Sequence, residues 1–332
     1  MKFKPENVKK IAVFRALQLG DMLCAVPAFR ALRQAYPTAQ ITLLGLPWAS
    51  SFVSRFSKYF DSFIWFPGYP GLPEQTFDLD DWDIFVQKIE EENFDLILQM
   101  QGNGSIVNEM LEQVTRSTLA GFHSPGNFLG AEYFLQYPVG ISEIDRHLAL
   151  MHHLEIPSQG KYLEFPVSST EEQNLARLKM DIEPHKYICV HPGSRGAWRQ
   201  WPPAFFAALA DECSRKGYQI VVTGTKDEAE ITREVIAHMQ TKAIDLTGKT
   251  GLGEVAVLIR DAYMLISNCT GVSHIASAME TPSIVISMDG EPERWAPLNR
   301  HLHRTIDWTK EENFGIVKQE MENLQEMLLS NR

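Results

Sequence analysis

The chain has 332 residues, 44% of them hydrophobic, and a formal net charge of −11. That length exceeds what one hydrophobic core usually organises and favours two domains. The acidic balance argues against a general nucleic-acid binder, which would carry a basic face, and no apolar run approaches the roughly 20 residues of a membrane span.

Apolar periodicity predicts a buried strand over 11–14 and a helix over 21–36, whose apolar positions are Leu23, Val26, Phe29, Ala31 and Leu32. Pro27 should delay or kink that helix, because proline removes a backbone donor and crowds the preceding turn. Strands are expected over 41–44 and 63–66, then an acidic amphipathic helix over 80–93 and a strand over 95–100. A helix over 105–115, a strand over 119–122 and a helix over 144–154 complete the first half. The interval 67–73, with Gly68 and Gly71, is its one loop-rich stretch.

The polar run Ser168-Ser-Thr-Glu-Glu-Gln opens a linker helix, after which the pattern repeats. Strands over 187–190, 219–223, 264–267 and 283–286 alternate with helices over 203–216, 227–239, 253–260 and 272–279. Short apolar strands separated by helices signal a parallel sheet covered on both faces, here twice. A last amphipathic helix over 310–329 carries Phe314, Val317, Met321, Leu324 and Leu328, which need a surface to cover.

Cys24, Cys189, Cys213 and Cys269 show no C-x-x-C spacing and sit in or beside apolar runs. They read as buried free thiols, which suits a reducing cytoplasm. The basic N-terminus is followed by an apolar run too short for a signal peptide. The ten histidines show no H-E-x-x-H or similar ligand spacing, so no metal site is expected.

Three polar clusters in the second half each follow an apolar run: His191-Pro-Gly-Ser-Arg-Gly-Ala-Trp-Arg-Gln-Trp, Thr223-Gly-Thr-Lys-Asp-Glu and Asn268-Cys-Thr-Gly-Val-Ser-His. In an open α/β sheet, loops leaving the carboxyl ends of strands converge on one crevice. Glycines, hydroxyls, an arginine and a histidine there suit a phosphate. In the first half, Arg15-Ala-Leu-Gln-Leu-Gly-Asp-Met-Leu lacks G-x-G-x-x-G, so a dinucleotide fingerprint is not supported. Taken alone, Asp21 there reads as a helix N-cap. Gln101-Gly-Asn reads either as a strand-to-helix turn or as a cleft lining.

Together, IAVFRALQLGDMLCAVPAFRALR over 11–33, Gln101-Gly-Asn, His191-Pro-Gly-Ser and Thr270-Gly-Val-Ser-His resemble glycosyltransferase family 9, which includes the ADP-heptose:lipopolysaccharide heptosyltransferases. The resemblance runs from about residue 10 to residue 297 with the motifs in the same order. It implies an α/β GT-B fold, two Rossmann-like doubly wound domains facing across a cleft. The expected division is 1–167 for the acceptor, 168–309 for the nucleotide sugar, and a helix over 310–332 packing back toward the N-terminal domain.

The implied reaction is metal-independent, inverting transfer of a sugar, expected to be heptose from ADP-heptose, to a lipopolysaccharide core or related glycan. Asp21 matches the family's general base, and a helix N-terminus should keep it ionised. Ser194, Arg199, Thr270, Gly271 and His274 match positions near the donor phosphates. Glu228 matches an acid near the ribose, with Asp227 and Glu230 as alternatives. Gln101 and Asn103 fall on the acceptor side, and 289–295 is a further candidate to approach the nucleotide.

No cofactor is implied, and the partners are a nucleotide-sugar donor and a glycolipid or oligosaccharide acceptor. A lipid acceptor implies a cytoplasmic enzyme peripheral to the inner membrane face, with Lys2, Lys4, Lys9 and Lys10 as a basic contact or simply a solvated tail. The chain departs from the family at Cys269, usually aspartate, and a thiol cannot accept hydrogen bonds as a carboxylate does. That departure keeps open a different donor sugar, or a nucleotide-sugar-binding protein without transferase activity.

Overall fold

A computed structural model describes residues 1–126 and 132–330, which divide into two compact units, Met1–Tyr162 and Leu163–Arg332. The division falls five residues before the expected one at 167/168.

In the first unit the strands are β1 (Lys10–Phe14), β2 (Gln40–Gly45), β3 (Ser62–Trp65), β4 (Leu96–Gln99), β5 (Thr118–His123) and β6 (Phe134–Gln136). Its helices are α1 (Leu19–Ala35), α2 (Ala49–Arg55), α3 (Leu79–Glu92), α4 (Val107–Val114) and α5 (Glu143–His153). The second unit holds β7 (Tyr187–His191), β8 (Gln219–Val222), β9 (Ile244–Asp245), β10 (Met264–Asn268), β11 (Ser283–Ser287) and β12 (His303–Asp307). Around them run α6 (Ser169–Arg177), α7 (Pro203–Arg215), α8 (Ala229–His238), α9 (Leu252–Asp261), α10 (Gly271–Ala278), α11 (Pro292–Trp295) and α12 (Phe314–Ser330).

Each unit is one parallel sheet, ordered β3-β2-β1-β4-β5-β6 in the first and β9-β8-β7-β10-β11-β12 in the second. Both follow the doubly wound order 3-2-1-4-5-6, which reverses between the first and fourth strands. Register is fixed there: Ile11 lies between Ile41 and Leu96, and Ile266 pairs with Val190. Ile11, Ala12, Val13 and Phe14 are fully buried, as are Met264, Leu265 and Ile266. Helices on both faces produce that burial and explain why these strands read as unbroken apolar runs.

Local chemistry sets the helix ends. Asp78 caps α3 by accepting from Asp80 N and Asp81 N at 3.0 and 3.1 Å, and Asn93 ends it in the left-handed region at φ 49°. Ser168 and Glu171 form a reciprocal capping box on α6.

Two expectations need correction. The helix expected to start at Asp21 starts at Leu19, with Gln18 as N-cap, and it runs unbroken through Pro27. Pro27 leaves one carbonyl without its intrahelical donor, yet Met22 to Leu32 are all buried, and that packing holds the helix.

Of the C-terminal helix, expected to pack back toward the first domain, the apolar face is buried within the second unit. Val317, Met321 and Leu324 of α12 are fully buried in a core with Trp201, Phe206 and Cys213. The Cys213 thiol lies 3.6 Å from the Met321 sulfur, Lys318 meets Glu212 at 3.0 Å, and Lys216 donates to Gln325 at 2.6 Å. An amphipathic face covers whatever apolar surface lies nearest, and for α12 that surface is β12, β11 and α7. Residues 331 and 332 of the expected segment lie outside the described residues.

Burial of Met321 makes α12 part of the second unit's stability. Met321→Ala should destabilise the protein by about 2–5 kcal/mol in urea unfolding. A loss well under 1 kcal/mol would contradict the packing of α12 into this core.

Candidate active site

The second unit's strand-order reversal brings the loops after β7 and β10 side by side. Asn268, at the end of β10, fastens them: its Nδ2 donates to Pro192 O at 2.6 Å and its Oδ1 accepts from Trp201 N at 3.0 Å. Ser194 sits in this loop, its carbonyl accepting from Gln200 Nε2 at 3.1 Å. Thr270 is the N-cap residue of α10, but its hydroxyl makes no cap bond, and Gly271 is the first helical residue. The hydroxyls of Ser194 and Thr270 are both buried and have no hydrogen-bond partner among the described residues. His274 is buried in the same helix. Four of the expected phosphate residues therefore flank the reversal point, where α10 presents its free N–H groups.

Arg199, the fifth, lies in a short 3₁₀ turn over Ala197–Arg199. Its Nη2 pairs with the Asp289 carboxylate and donates to Cys269 O at 3.5 Å. The guanidinium also sits 5.5 Å from the ring of Trp198, which is 69% exposed. Cys269 is buried, and burial, with the Asp289 charge adding to it, pushes its thiol up to about 12. It is therefore a neutral thiol across the physiological range.

Glu228 closes the far side of the β7 loop. Its carboxylate accepts from Thr225 N at 2.7 Å in a capping box, and it stands 3.7 Å from His191 Nε2. A Cβ on Gly193 would fall inside the Glu228 carboxyl group, so only glycine permits this approach. His191 also contacts the Thr223 hydroxyl at 3.0 Å through Nδ1. Burial lowers the His191 pKa, against an opposing pull from Glu228. Asp227 and Glu230 are exposed.

In the first unit Asp21 is the third residue of α1 and half-buried, so it is not the N-cap. Its backbone carbonyl accepts from Arg15, Nε at 3.2 Å and Nη2 at 2.7 Å. Arg15 is wholly buried, donates also to Met100 O, and meets Glu143 at 3.5 Å. Glu143 in turn pairs with Arg146 and meets His147 at 3.2 Å. These groups fix the start of α1 against the ends of β4 and α5.

Gln101 follows β4, and its Oε1 accepts from Ala16 N at 2.7 Å while its buried Nε2 has no partner among the described residues. Asn103 instead is exposed, and its side chain accepts from Ser105 N at 3.1 Å, which makes it a turn-forming residue.

The sequence profile of glycosyltransferase family 9 (heptosyltransferase) matches residues 83–323, most of the chain. The chain belongs to glycosyltransferase family 9. It is thus an enzyme of the glycosyltransferase class, with the α/β GT-B fold class.

Among relatives, lipopolysaccharide heptosyltransferase 3 of Escherichia coli K12 is 25% identical over 300 residues, covering 85% of this chain and 83% of its own. A solved family 9 glycosyltransferase from Veillonella parvula superposes with a TM-score of 0.79 at 19% identity, covering 100% and 99% of the two chains. The E. coli ADP-heptose lps heptosyltransferase II gives 0.71 at 19% identity, covering 98% and 100%.

Reading the family motifs did not single out Arg15, Glu143, His147 or Asn268 for roles, and it reached Asp289 only as part of the 289–295 segment. Glu143, Arg146 and His147 do carry a signal, since i, i+3 and i+4 spacing places them together on one helix face. Among the described residues no helix is long and apolar enough to cross a membrane.

His147 ties this architecture to pH. Burial, reinforced by Arg15, lowers its pKa from 6.5 to about 4. The unfolded chain then binds a proton that the folded one excludes, so stability should fall as pH drops from 6.5 toward 4, by at most about 3 kcal/mol from this group. His147→Gln should flatten that slope in urea titrations at a series of pH values. An unchanged slope would show that His147 is not held neutral by the fold.

Proposed function

We propose that this family 9 enzyme transfers heptose, with inversion at the anomeric carbon, from ADP-heptose to a lipopolysaccharide core acceptor. The observation that carries the donor half is the set of unsatisfied groups at the second unit's reversal point. Ser194 and Thr270 keep buried hydroxyls without partners among the described residues, α10 begins there, and Arg199 supplies the cation. A rotation between staggered χ1 wells turns either hydroxyl to a ligand. These groups suit a departing diphosphate, whose developing charge must be stabilised as the sugar leaves. ADP-heptose is the donor named for a relative that matches nearly the whole chain.

Asp21 is the residue we assign to proton transfer. Its carboxylate takes the proton of the acceptor hydroxyl as that oxygen bonds to the anomeric carbon and the bond from that carbon to the diphosphate oxygen breaks. Arg15 holds the backbone of Asp21 from below, so the carboxylate is presented from a fixed turn. Gly271 allows backbone approach to the phosphates, and His274 supports the same helix start. Glu228 is assigned to the ribose, accepting from its hydroxyls. Gln101, whose Nε2 has no partner among the described residues, is a donor for the acceptor sugar; Asn103 contributes by shaping the turn beside it.

For the lipid-linked acceptor we place the enzyme in the cytoplasm, peripheral to the inner membrane face. Lys2 donates to Glu132 O and Lys10 to Glu92 at 3.0 Å within the first unit, which leaves Lys4 and Lys9 for any such contact.

Asp21→Asn tests the assignment, since asparagine keeps the shape and polarity of the side chain. With ADP-heptose and a heptose-deficient lipopolysaccharide acceptor, kcat should drop by about 10²–10⁴-fold while ADP affinity stays within twofold. Turnover near that of the wild type would make Asp21 structural.

A further inference from the structure

The transfer chemistry above makes no use of the acid on the loop leaving β11. Asp289 nevertheless has a side chain only 7% exposed and makes an ion pair with Arg199 across 90 residues of sequence. We infer that Asp289 is a positioning residue, which ties down Nη2 of the Arg199 guanidinium so that the Nε and Nη1 donors are held ready for the donor diphosphate. This rests on the reading of the β7 and β10 loops as the donor site.

The guanidinium is a planar fork with five N–H donors in fixed directions. Both of its protein acceptors, the Asp289 carboxylate and the Cys269 carbonyl, are reached by Nη2. Nε and Nη1 have no protein partner among the described residues, so the protein holds Nη2 while Nε–H and the Nη1 hydrogens remain as separate donors, each able to make one charge-assisted hydrogen bond to a phosphate oxygen.

Asp289 is itself immobilised, its Oδ1 accepting from Ser287 Oγ at 2.9 Å and from Glu291 N at 3.2 Å. Without that anchor, Arg199 would be a partly exposed side chain on a short turn, and ligand binding would have to freeze its rotamers. The carboxylate does not exclude the phosphate, because the two anions use different nitrogens. The neutral Cys269 thiol does not compete for the cation either.

The test is a double-mutant cycle on the full-length protein, with ADP affinity read by calorimetry and UDP and inorganic pyrophosphate as further probes. Asp289→Ala should weaken ADP binding about tenfold in the wild-type background and less than twofold in the Arg199→Ala background. Asp289→Asn, which keeps an acceptor oxygen, should recover part of the loss, and it replaces Asp289→Ala in the cycle if the alanine variant does not fold. Equal losses in both backgrounds would mean that Asp289 acts independently of Arg199 and would overturn the inference. Tighter ADP binding by Asp289→Ala would overturn it too, by making the carboxylate a competitor of the phosphate. A wild-type protein that binds none of the three probes would overturn the donor-site reading together with this inference.

Discussion

Everything in both units hangs on how the loop leaving the first strand is fastened to the end of the fourth. A doubly wound sheet reverses its order there, so the two loops diverge toward opposite faces and leave exposed backbone between them. In the first unit Gln101 accepts from Ala16 N and Arg15 donates to Met100 O. In the second, Asn268 donates to Pro192 O and accepts from Trp201 N. An amide side chain beside the end of the fourth strand satisfies loop backbone in each unit, Gln101 by accepting alone and Asn268 by both donating and accepting. The crevice at each reversal keeps its shape because these bonds are buried.

The two arginines at these points differ in how far the protein satisfies them. Arg15 is wholly buried, and carbonyls of Asp21 and Met100 together with Glu143 engage its guanidinium. A buried cation without such partners would be prohibitively costly, so this arginine belongs to the fold. Arg199 is partly exposed and, among the described residues, satisfied through Nη2 only. The same asymmetry separates the hydroxyls: Thr223 engages His191, whereas those of Ser194 and Thr270 have no partner among the described residues. Natural proteins leave buried polar groups unpaired chiefly where something else completes them.

Much of the architecture is legible in the sequence. The central strands β1, β4, β7 and β10 are buried on both faces and therefore appear as apolar runs, and the helices between them carry the right period. β6, β9 and β12 escape notice because they are short or lie toward sheet edges, and the His303–Asp307 segment is largely polar. Amphipathicity announced α12 without naming the surface it covers. Pro27 reads as a breaker, but tertiary burial outweighs local propensity. At the site, motif residues cluster as their order suggests, while the Arg15–Glu143 and Arg199–Asp289 pairs span 128 and 90 residues and have no local signature.

The claim that the reversal point of the second unit is reserved for a diphosphate is tested most directly at Thr270. Valine has nearly the shape of threonine and removes only the hydroxyl that has no partner among the described residues. Thr270→Val should therefore leave urea stability unchanged or slightly raised, yet weaken ADP binding by about 0.5–1.5 kcal/mol in calorimetry. Lower stability with undiminished ADP affinity would contradict the account, because the hydroxyl would then be serving the fold and not the ligand.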